Sequence, residues 1–325
     1  MHHLVIGGGG PRAIVTGVGS ILAISRLGLK NFSSIGGISG GALPALFLAH
    51  ETDLGKVIER LLALDFSTLL KPSERGFDPL QPFAAPMDGE ELARPKLLLR
   101  LLRNGALHTD RLGELIDELS MQWPEQFWTL AMSETSHVLF TKLGVYEYDF
   151  DGNITTLSET PAPLSLAIRA TCAIPGILKP IEYRGRYLFD GSLSPFGACP
   201  VQWVRQNFLA EGQTVIRCFA SGKERKHNGL LWRIGRRLIC HDATAKDADA
   251  NSIAEINIEP SVPEINPFHF KLSLDQKKLG ILLGFNEAIG AISKHANLFR
   301  EVLAAPDPCR NFEELAALAG LSPDA

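Results

Sequence analysis

Ser39 stands at the centre of Gly37-Ile38-Ser39-Gly40-Gly41, a Gly-x-Ser-x-Gly pattern that follows a short β-like stretch and opens a helical one. Glycines on both sides of a serine allow a tight strand-to-helix turn that lifts Oγ clear of the backbone, and the helix start stabilises negative charge there. About thirty residues earlier lies a glycine run with a cation, Gly7-Gly8-Gly9-Gly10-Pro11-Arg12, also at the end of an apolar strand-like segment and the start of a helical one. Backbone N–H groups in such a loop can receive an anion, either a phosphate or the oxyanion of a tetrahedral intermediate. A carboxylate at a turn follows much later, in Tyr187-Leu188-Phe189-Asp190-Gly191-Ser192. A nucleophile turn and an anion loop on neighbouring strand ends suit acyl-ester chemistry.

Each feature has a plainer explanation at the level of residues alone. Ser39 could simply cap a helix running from Gly40 to about Ala49. The glycine run could be a generic tight turn or a nucleotide loop, although it lacks a Gly-Lys-Ser/Thr ending and no acidic residue closes the second strand. Asp-Gly is a common turn dipeptide. The nine histidines are scattered, and Ser39 comes too early in the chain for the α/β-hydrolase order in which an acid and then a histidine follow a late serine.

The elements that must position these residues are legible in the apolar spacing. His3 to Ile6 predicts a short buried strand and Ala13 to Leu27 a helix. Asn31 to Gly36 predicts a second strand, and the helix behind Ser39 carries Pro44, which predicts a local irregularity just behind the serine. Further helices are expected over Leu54 to Leu64, Pro95 to Arg103 and Arg111 to Met121, and a pair of strands over Phe127 to Asp149. Phe66 to Met87, with four prolines, reads as an ordered but irregular loop, either a lid or a plain packed loop.

Taken together, these blocks resemble the patatin-like phospholipases. The loop Gly7 to Arg12 is similar to the family's glycine-rich loop with its basic residue, and Gly37 to Gly41 to its nucleophile block. Ala170-Thr171-Cys172-Ala173-Ile174-Pro175-Gly176 is similar to the family's Ala-Ser-x-Ala-Ile-Pro-Gly segment, and Asp190-Gly191 to its Asp-Gly-Gly or Asp-Gly-Ala. The resemblance spans about Leu4 to Val201, with a weaker echo around Phe268 to Ala288, where such proteins carry a final strand and helix. Ala13 departs from the pattern in the place of a further glycine, Pro11 stiffens the loop, and Ser192 replaces a glycine or alanine. Leu193 to Cys199 also looks longer than the family's run before Pro200-Val201.

The resemblance implies an α/β, three-layer fold with a central, mostly parallel sheet flanked by helices. The catalytic domain is expected over residues 1–305, with 66–110 as its candidate lid region, and the C-terminal tail over 306–325 reads as a short helix on a loose tail. The resemblance further implies a Ser-Asp dyad in which Ser39 attacks an acyl ester and Asp190 is the general base. Gly8, Gly9 and Gly10 would form the oxyanion hole with Arg12 in support, Gly37 and Gly41 the nucleophile elbow, and Gly191 the turn after the acid. The expected activity is lipid acyl hydrolysis through an acyl-enzyme, with a phospholipid or other acyl lipid as substrate and no cofactor or metal. The alternatives are a non-catalytic lipid-binding or scaffold protein of the same fold, and an acyltransferase using the same dyad.

Whole-chain properties narrow the class further. With 325 residues and 45% hydrophobic content, the chain can bury one large α/β core. A net charge of −4 argues against a general nucleic-acid binder. Five cysteines without a Cys-x-x-Cys pair fit a reducing compartment, and no signal peptide or membrane-spanning run is read, so a cytoplasmic location is expected. Two basic amphipathic segments, Lys96 to Arg103 and Lys223 to Ile239 with Trp232, have the composition of an anionic-membrane contact, or of ordinary helices facing the core.

Overall fold

A computed structural model of the protein describes residues 1–72, 105, 107–134, 136–221, 253–299 and 306–321. The expected helix Pro95 to Arg103, the segment Lys223 to Ile239 and most of the lid region lie outside the described residues.

The centre is a ten-stranded sheet. Its first half is parallel: β1 (His2–Ile6) pairs with β2 (Phe32–Gly37), and β5 (Phe127–Met132) with β2, while β11 (Thr214–Cys218) and β12 (Ile256–Ile258) extend the other edge. From β5 onward the sheet is antiparallel, through β6 (Ser136–Thr141), β7 (Gly144–Asp149) and β8 (Ile154–Ser158). The α/β class therefore holds, with a mixed sheet whose parallel half carries the serine. Phe127 to Asp149 forms three strands rather than two, because the chain leaves the strand after Met132 and turns again at 142–143.

Layering follows from the alternation of strand side chains. Leu4 and Ile6 join the large core on one face, formed with α1 (Gly10–Arg26), α2 (Ala42–Ala49), α3 (Leu54–Ala63) and α7 (Leu274–Lys294). Val5 and Val215 face the other way, onto Trp128 and onto Trp203 and Val204 of α6 (Val201–Asn207). Helix α1 is buried almost all round because α7 covers its outer face: a Cβ on Gly19 or Gly284 would run into the opposite helix backbone. It also starts earlier than expected. Pro11 sits in its first turn, where a missing N–H costs no hydrogen bond, so Gly10 to Arg12 belong to the helix rather than to the loop.

The remaining elements are a ribbon of β3 (Lys71–Pro72) and β4 (Leu107–His108), helices α4 (Asp110–Glu118) and α5 (Leu164–Thr171), and the hairpin β9 (Ile181–Tyr183) to β10 (Arg186–Asp190). Phe268 to Ala288 contains a helix start but no strand; among the described residues the last sheet strand is β12, earlier in the chain. Helix α8 (Phe312–Ala319) corrects the expectation of a loosely attached terminal helix: Phe312 and Leu315 are buried in the main core, and the Asn286 side chain bonds both N–H and carbonyl of Cys309 just before it. At the borders of the expected lid region, Phe66, Leu69 and Leu107 are core residues.

Candidate active site

Strand β10 explains how residues 151 positions apart come together. It runs antiparallel beside β5, with Asp190 opposite Ala131, while β2 occupies the same side of β5 with Gly37 opposite Thr129. The carboxyl ends of β2 and β10 therefore point at each other in one lane, two β5 residues apart, or about 7 Å. Ser39 and Asp190 fill the gap: Ser39 Oγ donates to Asp190 Oδ2 at 2.7 Å.

Ser39 holds a left-handed backbone with φ of 51°. A non-glycine residue in that region costs on the order of 1–3 kcal/mol and persists only where its surroundings hold it there. They do so here. The Ser39 N–H donates to Thr171 Oγ1 at 3.0 Å, at the end of α5, and Gly41 N–H donates to the Ile38 carbonyl at 2.9 Å in a single 3-10 turn. Gly37 and Gly41 make the turn sterically feasible: a Cβ on Gly37 would strike Ala42, and one on Gly41 the carbonyls of Ile6 and Gly7. The irregularity expected from Pro44 is this change from 3-10 to α-helix; α2 begins only at Ala42, which leaves Pro44 in its first turn.

Asp190 is 1% exposed and Ser39 4%. Burial pushes the Asp190 carboxyl up to about 6, partly offset by hydrogen bonds from Ser39 and from the backbone and side chain of Ser192. The Ser192 N–H donates to Oδ1 at 2.8 Å. Burial, and after it the nearby Asp190 carboxylate, raises the pKa of the Cys172 thiol. Among the described residues no histidine bonds to Ser39 or Asp190, so the arrangement offers a serine hydroxyl directly to a carboxylate of raised basicity.

The glycine loop packs on this pair. A Cβ on Gly8 would fall on Ser192 Oγ and come 3.2 Å from the Ser39 Cβ. A Cβ on Gly40 would meet the Gly10 carbonyl, so the loop and the residue after the serine touch. The loop N–H groups are not equivalent. Gly8 N–H donates to the Ala198 carbonyl at 2.9 Å, which corrects its place as a free oxyanion donor. Among the described residues, no backbone carbonyl outside α1 accepts from Gly9 or Gly10 N–H. Arg12 is buried on α1, its Nε 3.9 Å from where a Cβ on Gly9 would lie. Gly191 packs so tightly that a Cβ would strike the Leu130 carbonyl.

Thr171 and Ser192 bond to the pair, roles that the sequence analysis gives to neither: Ser192 figures there only as a departure from glycine or alanine, and Thr171 only within Ala170 to Gly176, where it stands in the place of a serine.

A family model for the patatin-like phospholipases matches residues 4–200. The chain belongs to this family. Among solved structures, the chain is similar to VipD from Legionella pneumophila, with a TM-score of 0.49 and 13% identity over 98% of this chain and 74% of that one. No curated protein matches the chain. Membership in a patatin-like family points to lipid acyl hydrolysis as the class of activity. Among the described residues no helix is long and apolar enough to cross a membrane, and no group of three His, Cys, Asp or Glu side chains could hold a metal ion.

Proposed function

We propose that this protein is a lipid acyl hydrolase in which Ser39 is the nucleophile and Asp190 the general base. The observation that carries the reading is the 2.7 Å hydrogen bond between Ser39 Oγ, on a strained turn, and a buried carboxylate. As Oγ attacks the ester carbonyl carbon, its proton passes to Asp190 Oδ2 and the carbonyl oxygen becomes an oxyanion. Collapse expels the alcohol, which takes the proton back from Asp190, and leaves an acyl-Ser39 ester. Water then attacks the acyl-Ser39 carbonyl as Asp190 accepts its proton, and collapse releases the fatty acid while Ser39 Oγ takes that proton back from Asp190.

The rise in Asp190 basicity matters because proton transfer from an alcohol to a carboxylate is steeply uphill. Each pKa unit is worth about 1.4 kcal/mol, so a carboxyl raised from 3.8 to about 6 narrows that gap by roughly 3 kcal/mol. Oxyanion donors come from Gly9 and Gly10 and from Gly40, the residue after the nucleophile, since N–H groups at that position commonly serve an oxyanion. Contact with an anionic membrane through Lys223 to Ile239 belongs to the same proposal and rests on the composition of that segment alone.

Labelling by a fluorophosphonate probe, with release of fatty acid from phospholipid vesicles, tests the reading. Wild-type protein is expected to be labelled at Ser39 and to release fatty acid, and Ser39→Ala to do neither. Labelling without hydrolysis, and with transfer to added alcohol or thiol, would make it an acyltransferase. No labelling would leave a binding protein.

A further inference from the structure

The nine residues Gly191 to Cys199 form a strap between the acid and the glycine loop, and its bonds run to both. At one end Ser192 N–H donates to Asp190 Oδ1, and Ser192 Oγ packs where Gly8 has no side chain. At the other end the Ala198 carbonyl accepts from Gly8 N–H at 2.9 Å, and Cys199 Sγ lies 3.6 Å from the Val5 carbonyl. Internal bonds from Ser194 N–H to the Gly191 carbonyl and from Gly197 N–H to the Ser194 carbonyl keep the strap folded.

Midway, the strap is tied to the sheet through one side chain. His137 on β6 is buried, and its Nε2 lies 2.8 Å from Ser194 Oγ, which in turn accepts from Phe196 N–H at 3.1 Å. The Tyr148 carbonyl beside the ring can only accept, so the ring nitrogen facing it carries the hydrogen; in the neutral imidazole Nε2 is then the acceptor, and the Ser194 hydroxyl donates to it while its oxygen accepts from Phe196 N–H. Phe150 meets the imidazole edge-on and Phe196 lies tilted against it. Burial pushes the His137 pKa down to about 4, so the ring is neutral and Nε2 remains an acceptor wherever Asp190 is ionised.

We propose that His137 is a positioning residue for the reaction: by accepting the Ser194 hydroxyl hydrogen it fixes the strap, and through the strap both the Asp190 carboxylate and the Gly8 backbone. The groups facing Asp190 are Ser39 from the turn after β2, Cys172 after α5 and Ser192 of the strap itself. The Ser39 turn is held by Thr171 of α5, and the strap by His137 of β6, which lies outside the elements that carry Ser39 and Asp190. Misplacing a reacting group by about 1 Å costs on the order of 100-fold in rate, which sets the scale of the effect. The kinetic consequence rests on the Ser39–Asp190 reading; the mechanical one does not.

Three variants test this: His137→Leu, which removes the acceptor; Ser194→Ala, which removes the donor; and His137→Gln, which keeps an acceptor. With a soluble short-chain ester, His137→Leu and Ser194→Ala are expected to lower kcat about 10- to 100-fold with KM within about twofold. The acid limb of kcat/KM is expected to move from about 6 toward the ordinary carboxylate range as water reaches Asp190. The double variant should be no worse than either single one, and His137→Gln should recover most of the loss. Amide exchange should quicken at Ser192 and Gly8 in both loss variants and stay slow in β1 and β11. A lower melting temperature with kcat, acid limb and exchange unchanged in the folded protein would overturn the proposal. Quickened exchange in a protein whose wild type never cleaves an ester would instead refute the hydrolase reading and leave the anchor standing. If His137→Leu does not fold, Ser194→Ala carries the same decision.

Discussion

Ser192 Oγ occupies the space that a side chain on Gly8 would need, so the hydroxyl beside the acid and the bare backbone of the glycine loop are one packing unit. Gly8→Ala is therefore expected to displace Ser192, whose N–H holds Asp190, and to reduce activity at least tenfold. In the Ser192→Ala background the same change meets only the Ser192 Cβ position, at 3.5 Å, together with the Ser39 Cβ at 3.2 Å. Activity of Gly8→Ala/Ser192→Ala should then exceed that of Gly8→Ala alone. Strictly additive losses across this double-mutant cycle would show that the two positions do not share the space.

The Ser39–Asp190 hydrogen bond implies a unit with non-additive behaviour. Ser39→Ala should reduce ester hydrolysis to background, and Asp190→Asn by about 1000-fold or more, the scale of a general base combined with an activated nucleophile. The double variant should be no slower than Ser39→Ala. Full activity of Asp190→Asn in a rate assay, with loss in a histidine variant, would reassign the base.

The parts legible in the sequence are those whose chemistry is local. Gly37, Ser39 and Gly41 define a turn by themselves, and an apolar run before them is enough to place it at a strand end. Asp190 was visible as a carboxylate at a turn, but its meeting with Ser39 depends on β10 entering the lane of β2 beside β5, a pairing over more than 150 residues that no local pattern encodes. Strands β5 to β7 read as two because the residues between β5 and β6 and between β6 and β7 hold no Asn-Gly or Asp-Gly pair, a signal that Asp151-Gly152 does supply between β7 and β8. Gly8 illustrates the opposite limit: its residue type announced close packing, yet whether its N–H faced a substrate or the Ala198 carbonyl was decided by a strap nearly two hundred residues away. His137 was one histidine among nine, and only the fold gives it Ser194 as a partner.

Thr171 holds the Ser39 N–H in a backbone conformation that a serine does not adopt unaided. Thr171→Val keeps the shape and removes the acceptor, leaving a buried N–H without a partner at a cost of about 1–3 kcal/mol. The expected result is a lower melting temperature together with slower fluorophosphonate labelling of Ser39, because the turn relaxes. Thr171→Ser keeps the hydroxyl and should restore the labelling rate. Unchanged labelling in Thr171→Val would show that the 3-10 turn alone fixes the nucleophile.

Asp190 links activity to stability through pH with a defined sign. Its carboxyl is raised in the fold to about 6, so the folded state binds the proton more tightly than the unfolded chain does. Stability contributed by the protonated acid is present below the ordinary carboxylate range, declines as pH rises through about 6, and the loss amounts to roughly 3 kcal/mol once Asp190 is ionised. Activity runs the other way, since the base works only when ionised: kcat/KM should climb with pH, reach half its maximum near 6, and then level off. Asp190→Asn keeps an acceptor for Ser192 N–H and a partner for Ser39 without burying a charge. It should therefore melt a few degrees above wild type at pH 8 and at about the same temperature near pH 4, while being inactive at both. Equal melting temperatures at pH 8, measured by calorimetry, would mean that the carboxylate is not held at an energetic cost and that the rise in its basicity is not what readies Ser39.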